Sequence, residues 1–182
     1  MDAACLNNQD GLPVRLMFQD EARFGRMSDP RACWAPAPHR PVVNLALIRE
    51  YRYEYAAISP WDGSLDYMTC EKMNTENMSC FLEQISKSHS DDFIVMVLDG
   101  ASSHKSKDLK IPDNVSLVLL PPYSPELNPT ERLWQWLRSH HLANRVYEDY
   151  DDLLHAADTA LASLDAERIK TICNCDYLTP PN

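Results

Sequence analysis

Three carboxylates stand where they could hold divalent cations. Asp20 lies just beyond the apolar run Val14 to Phe18, and Asp99 directly follows the apolar run Phe93 to Leu98. If these runs are neighbouring strands, both acids lie at one edge of a sheet, which is where α/β proteins bind ligands. Glu131 comes 32 positions after Asp99, in the first turn of a predicted helix.

An oxygen-only ligand set indicates the kind of metal and the kind of chemistry. Mg²⁺ and Mn²⁺ prefer carboxylate oxygens, whereas Zn²⁺ sites usually include Cys or His. Two such ions about 4 Å apart can activate a water or a 3′-hydroxyl on one side of a phosphodiester and stabilise the leaving oxygen on the other. The three acids therefore favour phosphoryl transfer on nucleic acid.

Each acid also has a purely structural interpretation. An Asp at the end of a strand is commonly a turn or capping residue. A Glu in the first turn of a helix stabilises the helix N-terminus electrostatically. Residue type and spacing leave both interpretations open for Asp20, Asp99 and Glu131.

The elements that must position these acids follow an α/β order, with a meander of strands before alternating helices and strands. The predicted strands are Val14 to Phe18, Val42 to Ile48, Tyr51 to Ile58, Ser64 to Thr69, Phe93 to Leu98 and Val115 to Leu120. Four helices are predicted. The first begins at Asn74 or Thr75 and ends near Ser88, and the second runs from Lys105 to Lys110. The third begins at Pro129 after an Asn128 cap, and the last includes Leu153 to Leu164. We interpret residues 1–13 as an N-terminal extension and residues 14–182 as one domain with C-terminal helices.

Composition and charge narrow the class of protein. Hydrophobic residues make up 45% and charged residues 24% of the 182 residues, with no apolar run of membrane-spanning length. No signal peptide is visible in Met1 to Asn8, which predicts a cytoplasmic protein. The six cysteines form no CxxC pair, so free thiols are expected.

The net charge of −10 argues against nucleic-acid binding by the chain as a whole. The charge is unevenly distributed, however, with seven arginines against four acids from Arg15 to Arg52, and three basic against eight acidic residues from Arg145 to Asn182. This asymmetry is compatible with one DNA-facing surface, and equally with ordinary solvated charge.

Three sequence blocks resemble those of the IS630 branch of the IS630/Tc1/mariner transposases. The blocks are QDEARFG (Gln19 to Gly25), LDGASSH (Leu98 to His104) and LPPYSPELNPTERLW (Leu120 to Trp134), of which the third is the most specific. The resemblance implies an RNase H-like mixed sheet flanked by helices, as in retroviral integrases. It also implies that Asp20, Asp99 and Glu131 are the catalytic acids and bind two Mg²⁺ ions, for which Mn²⁺ may substitute. The family cleaves DNA at transposon ends and joins the freed 3′-hydroxyl to target DNA.

Several neighbours of the acids are candidates for supporting roles. The candidates for DNA contact are Arg23, His104, Lys105 and Arg132. His104 either approaches the metal site or DNA, or holds its loop by a hydrogen bond. Strand alternation turns Glu21 to the face opposite Asp20, which predicts a structural role for it. Asn128 and Pro129 are expected to present Glu131.

The expected partners follow from the same resemblance. The expected partner is DNA, both as transposon ends and as target, bound by a homodimer. The expected location is the nucleoid of a prokaryotic cell, and no membrane partner is expected. Few residues precede the first predicted strand, so a separate N-terminal helix-turn-helix part is expected to recognise the ends. Two other hypotheses stay open: a catalytically silent remnant that serves as an interaction module, and a general RNase H-like nuclease.

Overall fold

A mixed sheet forms the centre of the fold. The computed structural model describes residues 7–8, 11–101, 104 and 106–178, and within them the sheet has five strands. The strands are β1 (Val14–Met27), β2 (Leu47–Ile58), β3 (Leu65–Cys70), β4 (Phe93–Leu98) and β5 (Val115–Leu119). The helices are α1 (Thr75–Ser88), α2 (Thr130–Leu137), α3 (Tyr150–Ala162) and α4 (Ala166–Ile172), with a 3₁₀ turn at Pro125–Leu127 and a π turn at Arg138–Leu142.

The strand order is β3-β2-β1-β4-β5. The pairs β1–β2 and β2–β3 are antiparallel, whereas β1–β4 and β4–β5 are parallel. The parallel register between β1 and β4 ends where Phe18 lies opposite Val97. Asp20 lies two residues after Phe18, and Asp99 lies two residues after Val97. The topology therefore brings these acids to the same level of the sheet.

Apolar side chains of the sheet alternate between two cores, one on each face. Phe18, Ala22 and Phe24 of β1 join the core covered by α2, α3 and α4. Met17 points the other way, into the core covered by α1. The sheet is thus flanked by helices on both faces, as predicted.

Several predicted boundaries are confirmed to within one residue. Asn74 caps α1, because its Oδ1 accepts a hydrogen bond of 2.8 Å from the backbone N–H of Asn77. Strands β3, β4 and β5 begin and end within a residue of the predicted runs.

Among the described residues, no helix has the length and apolar character needed to cross a membrane.

The first strand is longer than predicted, and the prediction that it ends at Phe18, just before the acids, is wrong. It continues to Met27 because β2 supplies hydrogen-bonding partners along its whole second half. Asp20 therefore lies inside β1, at the point where β4 has ended and one edge of β1 becomes open. The polar residues that interrupt the apolar run mark this change of partners.

A separate strand over Val42 to Ile48 was also a wrong prediction. The antiparallel pairing with β1 ends at Met27 opposite Leu47, so the residues before Leu47 lack a partner strand among the described residues. Val42 and Leu45 are accordingly 92% and 62% exposed. Apolar, β-branched sequence alone does not make a strand where no neighbouring edge is offered.

The predicted short helix from Lys105 to Lys110 is not found. Lys105 lies outside the described residues, and residues 106–110 form a turn. The Ser106 hydroxyl accepts a hydrogen bond of 3.2 Å from the backbone N–H of Asp108. Such a side-chain bond competes with helix formation.

The C-terminal part contains one helix more than predicted. Helix α3 covers most of the predicted final helix, but Leu164 lies beyond its end and a separate α4 follows. Asp165 caps α4 by accepting a hydrogen bond of 2.8 Å from the backbone N–H of Arg168. The turn at Gly63, between β2 and β3, packs against the first residue of this helix, Ala166.

Candidate active site

Helix α2 is anchored to β1 beside Asp20 by two buried polar side chains. The Thr130 hydroxyl donates a hydrogen bond of 2.8 Å to the carbonyl of Phe18. The Asn128 amide donates one of 2.9 Å to the carbonyl of Gln19, while its Oδ1 accepts one of 3.1 Å from the N–H of Thr130. Helix α2 begins at Thr130, one residue later than predicted, so Pro129 and not Asn128 occupies the capping position. The Asn128 side chain still accepts a hydrogen bond from the first N–H of the helix.

This anchoring places the first turn of α2 next to Asp20. Glu131 is the second residue of the helix, and Trp134 follows one turn later on the same side. The Trp134 indole N–H donates a hydrogen bond of 3.0 Å to Oδ2 of Asp20. The sequence LNPTERLW thus supplies an anchor, a carboxylate and a hydrogen-bond donor within one helical turn.

The electrostatic state of Asp20 is unusual. Burial, together with the negative charges of Glu131 and Glu21, raises the pKa of Asp20 to about 8. The hydrogen bond from Trp134 lowers the pKa but is too weak to offset those effects. Among the described residues, no basic side chain forms an ion pair with Asp20, so this half-buried carboxyl, held next to like charges, favours a proton or a cation.

Asp99 directly follows β4 and is held by its own loop. Its side chain is 57% exposed, and Oδ1 accepts a hydrogen bond of 2.9 Å from the N–H of Ala101. Nδ1 of His104 lies 3.0 Å from the same oxygen and 3.1 Å from the carbonyl oxygen of Asp99. The loop therefore fixes the acid while leaving its carboxylate open to the solvent.

His104 connects Asp99 to a buried acid on β1. Its side chain is fully buried, and Nε2 lies 2.8 Å from Oε1 of Glu21. Burial lowers the pKa of His104, but the hydrogen bonds and charges of Glu21 and Asp99 outweigh it, so the pKa is raised above its ordinary value. Both ring nitrogens face acceptors, which fits a protonated imidazolium.

The three acids line one open cleft. The cleft has a volume of about 550 Å³, and its wall includes Asp20, Asp99 and Glu131 together with the loop from Leu119 to Pro125. Among the residues that the structure describes, no three His, Cys, Asp or Glu side chains are already grouped closely enough to be a metal cluster. The predicted acids thus share a cleft without meeting at one point.

The predicted DNA contacts fall in different surroundings. Arg23 is exposed, with its guanidinium carbon 4.5 Å from the centre of the Tyr51 ring. Arg132 is exposed as well and donates a hydrogen bond to the carbonyl of Asn174. The buried ring of His104 does not reach the surface, which favours the alternative that it holds its loop. Lys105 lies outside the described residues.

Two supporting residues, Thr130 and Trp134, were missed, and for Glu21 the sequence predicted a structural role without its partner. Trp134 could be recognised only as part of an apolar helix face, and no local pattern singled out Thr130. None of the three could be linked to its partner. Their bonds to Phe18, Asp20 and His104 join positions 83 or more residues apart, which no local pattern reveals. The periodic placement of Trp134 one turn after Glu131 was the only available signal.

Comparisons with solved structures identify the fold. The chain superposes on the mariner transposase Mos1 in a paired-end complex with Mg, with a TM-score of 0.67 and 17% identity over 87% of this chain and 51% of that one. A pre-cleavage Mos1 transpososome gives a TM-score of 0.67 at 14% identity, covering 87% of this chain and 52% of that chain. The chain thus spans about half the length of these transposases. The predicted RNase H-like fold is confirmed.

Sequence comparison then defines the family. Residues 15–154 match the DDE superfamily endonucleases, and the chain belongs to this family. It is also similar to the uncharacterized protein y4pE/y4sA of Sinorhizobium fredii, with 40% identity over 105 residues that make up 57% of this chain and 78% of that protein.

Proposed function

We propose that the chain is the catalytic domain of a transposase of the IS630 branch, which cleaves DNA at transposon ends and joins the 3′-hydroxyl to target DNA. Asp20, Asp99 and Glu131 are the proposed catalytic and metal-binding acids. The observation that carries the proposal is the anchoring of α2 to β1, because it brings Glu131 to the cleft in which the register of β1 and β4 already places the other two acids.

The donor set fits divalent metal ions. All three side chains offer carboxylate oxygens, which suit Mg²⁺ or Mn²⁺. Negative charge is concentrated here, because Asp20 lies beside Glu131 and Glu21 and burial with these charges raises the pKa of Asp20, which supports the binding of cations. Two bound ions would supply activation of the attacking hydroxyl and stabilisation of the leaving oxygen.

The remaining residues of the site hold the acids in place. Trp134 donates to Asp20 and thereby orients that carboxylate toward the cleft. His104, fixed by Glu21, holds the Asp99 loop from behind. Such positioning matters because small misplacements of reacting groups are costly in phosphoryl transfer.

The proposed partners are two kinds of DNA, the transposon end and the target. We propose a homodimer, because two ends must be paired, and a separate N-terminal helix-turn-helix part for recognition of the ends. The similar structures of Mos1, which are described as paired-end complexes, support the pairing of two DNA ends. A cytoplasmic, nucleoid-associated location in a prokaryote follows from the same proposal.

A cleavage assay tests the proposal. Labelled DNA containing the ends that flank the coding sequence is incubated with the protein and with Mg²⁺ or Mn²⁺, with and without the protein encoded immediately upstream. The Asp99→Asn variant is compared with Asp91→Asn, which changes an exposed Asp outside the cleft. We expect metal-dependent nicking and strand-transfer products that Asp99→Asn abolishes and Asp91→Asn retains.

The products separate the three hypotheses. Nicking without strand transfer under any condition would favour the general nuclease instead. Absence of both cleavage and metal binding would favour the catalytically silent remnant.

A further inference from the structure

A second cavity, distinct from the acid cleft, opens beside the second half of β1. It has a volume of about 340 Å³, within the roughly 300–1,000 Å³ typical of ligand pockets, and none of its lining residues lines the acid cleft. Three arginines, Arg23, Arg138 and Arg145, contribute to its wall. In a chain of net charge −10, this is a local concentration of positive charge.

Each of these arginines lies over an aromatic ring. The distances from the guanidinium carbon to the ring centre are 4.5 Å for Arg23 over Tyr51, 5.4 Å for Arg138 over Phe24 and 5.4 Å for Arg145 over Tyr147. Cation–π contact restrains a guanidinium while its N–H groups stay available as donors. The arginines are therefore partly ordered before any ligand arrives.

The first of these pairs is built into the sheet. Gly25 of β1 lies opposite Tyr51 of β2. A Cβ at Gly25 would lie 2.5 Å from Cδ1 of Tyr51, so only glycine allows the ring to lie across β1. Arg23, two residues earlier on the same face of the strand, lies over that ring.

Acidic neighbours do not neutralise the cavity. Among the described residues, none of the three arginines forms an ion pair with a carboxylate. Asp29 lines the cavity, but its carboxylate forms an ion pair of 2.9 Å with Arg31. The positive charge of the cavity is thus available to an anionic ligand.

A short series of contacts connects the cavity to the acid cleft. Trp134 donates to Asp20 on one side, and its ring lies 5.8 Å from that of Phe24 on the other. Phe24 in turn lies under Arg138. One indole ring therefore separates the catalytic acid from the arginine-lined wall.

We propose that this cavity binds phosphate groups of a DNA strand whose reacting phosphodiester lies in the acid cleft. The inference rests on the proposed function, to which it adds a second binding site for the same strand. Guanidinium groups match phosphate oxygens in charge and geometry. Among the described residues, no strand pairs with this edge of β1 beyond Phe18, so none lies between the two sites along it. A free phosphate ion shares this chemistry, and the test separates the two.

Binding of a fluorescein-labelled 30-nucleotide DNA, single-stranded and duplex, is measured by anisotropy against salt concentration in EDTA, which prevents cleavage. The Arg23→Ala/Arg145→Ala variant is expected to bind at least about tenfold more weakly. The slope of log K against log salt is negative, and its magnitude should decrease by about 1.4–1.8 in this variant, because each of the two lost phosphate contacts removes about 0.7–0.9. Thermal unfolding and circular dichroism of the variant verify that it folds.

Two further variants separate geometry from charge. Lys87→Ala/Arg168→Ala removes the same charge at exposed positions outside the cavity and should leave affinity and slope nearly unchanged. Arg23→Lys/Arg145→Lys keeps the charge but loses the planar group, so it should retain the slope and recover only part of the affinity.

Equal weakening by the cavity and control pairs, or no weakening by the cavity pair, would overturn the inference. Displacement of the DNA by low millimolar inorganic phosphate at constant ionic strength would do the same, because it would identify a free anion as the ligand. Failure of the proposed function has a different signature: the protein would not nick DNA with Mg²⁺, whatever the cavity variants do to binding.

Discussion

Replacing Asp20 with Asn should make the protein more stable at alkaline pH, although it removes a proposed catalytic acid. The pKa of Asp20 is raised from 3.8 to about 8 by burial and by the charges of Glu131 and Glu21. The contribution of a carboxyl with a raised pKa to the free energy of unfolding is greatest below pH 4, where the group is protonated in the folded and in the unfolded state. That contribution is lost as the pH rises to 8 and beyond, because the folded state must then hold a charge that it disfavours.

The expected gain in unfolding free energy follows from how far the pKa of Asp20 is raised. About four pKa units, at roughly 1.4 kcal/mol each, set a ceiling of about 6 kcal/mol. Water entry and side-chain relaxation in an open cleft reduce it, so we expect Asp20→Asn to gain about 2–3 kcal/mol over the wild type at pH 9. At pH 4 the two proteins should be nearly equal, because Asn can also accept the hydrogen bond from Trp134.

Urea unfolding of the wild type and of Asp20→Asn from pH 4 to pH 9 measures this difference. Contributions of other titrating groups, such as His104, are common to the two proteins and cancel in the comparison. Asp91→Asn, at an exposed position, is the matched control and should show no pH-dependent gain. Adding Mg²⁺ at pH 9 should stabilise the wild type but not Asp20→Asn. A difference that stays flat from pH 4 to pH 9 would refute the electrostatic account of the site.

Three further variants test other parts of the structure. Thr130→Val removes the bond to the Phe18 carbonyl and should cost about 1–3 kcal/mol of unfolding free energy in urea, with a loss of nicking as α2 loosens; unchanged stability and nicking would contradict the anchoring role. Gly63→Ala should cost about 2–4 kcal/mol, read as a lower melting temperature, because Gly63 has a φ of +78° and packs against Ala166; an unchanged melting temperature would argue against this packing. Burial raises the pKa of Glu54 to about 7, so Glu54→Gln should be stabilising above pH 7 and neutral near pH 4, and a gain independent of pH would contradict this cause.

The sheet and most helices could be predicted because their signals are local. Continuous apolar runs indicated β4 and β5, and an Asn cap followed by a periodic apolar face indicated α1. The length of β1 could not be predicted in the same way. Its second half mixes buried Ala22 and Phe24 with charged residues and a glycine, and it forms a strand because β2, which begins 20 residues after β1 ends, pairs with it.

The candidate acids were likewise accessible from the sequence, but the contacts that hold them were not. Strand ends and the third sequence block pointed to Asp20, Asp99 and Glu131. The link from Glu21 through His104 to Asp99 joins a buried acid on β1 to the loop that follows β4, and the parallel pairing of β1 with β4 brings them together. The same holds for the aromatic rings under the arginines of the second cavity.

Metal binding tests the central claim most directly. Mn²⁺ binding to the wild type is measured by calorimetry and by the loss of the free-ion electron paramagnetic resonance signal, alongside three variants, Asp20→Asn, Asp99→Asn and Glu131→Gln. Glu126→Gln, an exposed Glu in the preceding 3₁₀ turn, is the control. We predict that each of the three variants weakens Mn²⁺ binding by about tenfold or more, equivalent to about 1.4 kcal/mol, and that Glu126→Gln does not. Wild-type affinity in all three variants would contradict the assignment of these carboxylates as the metal site.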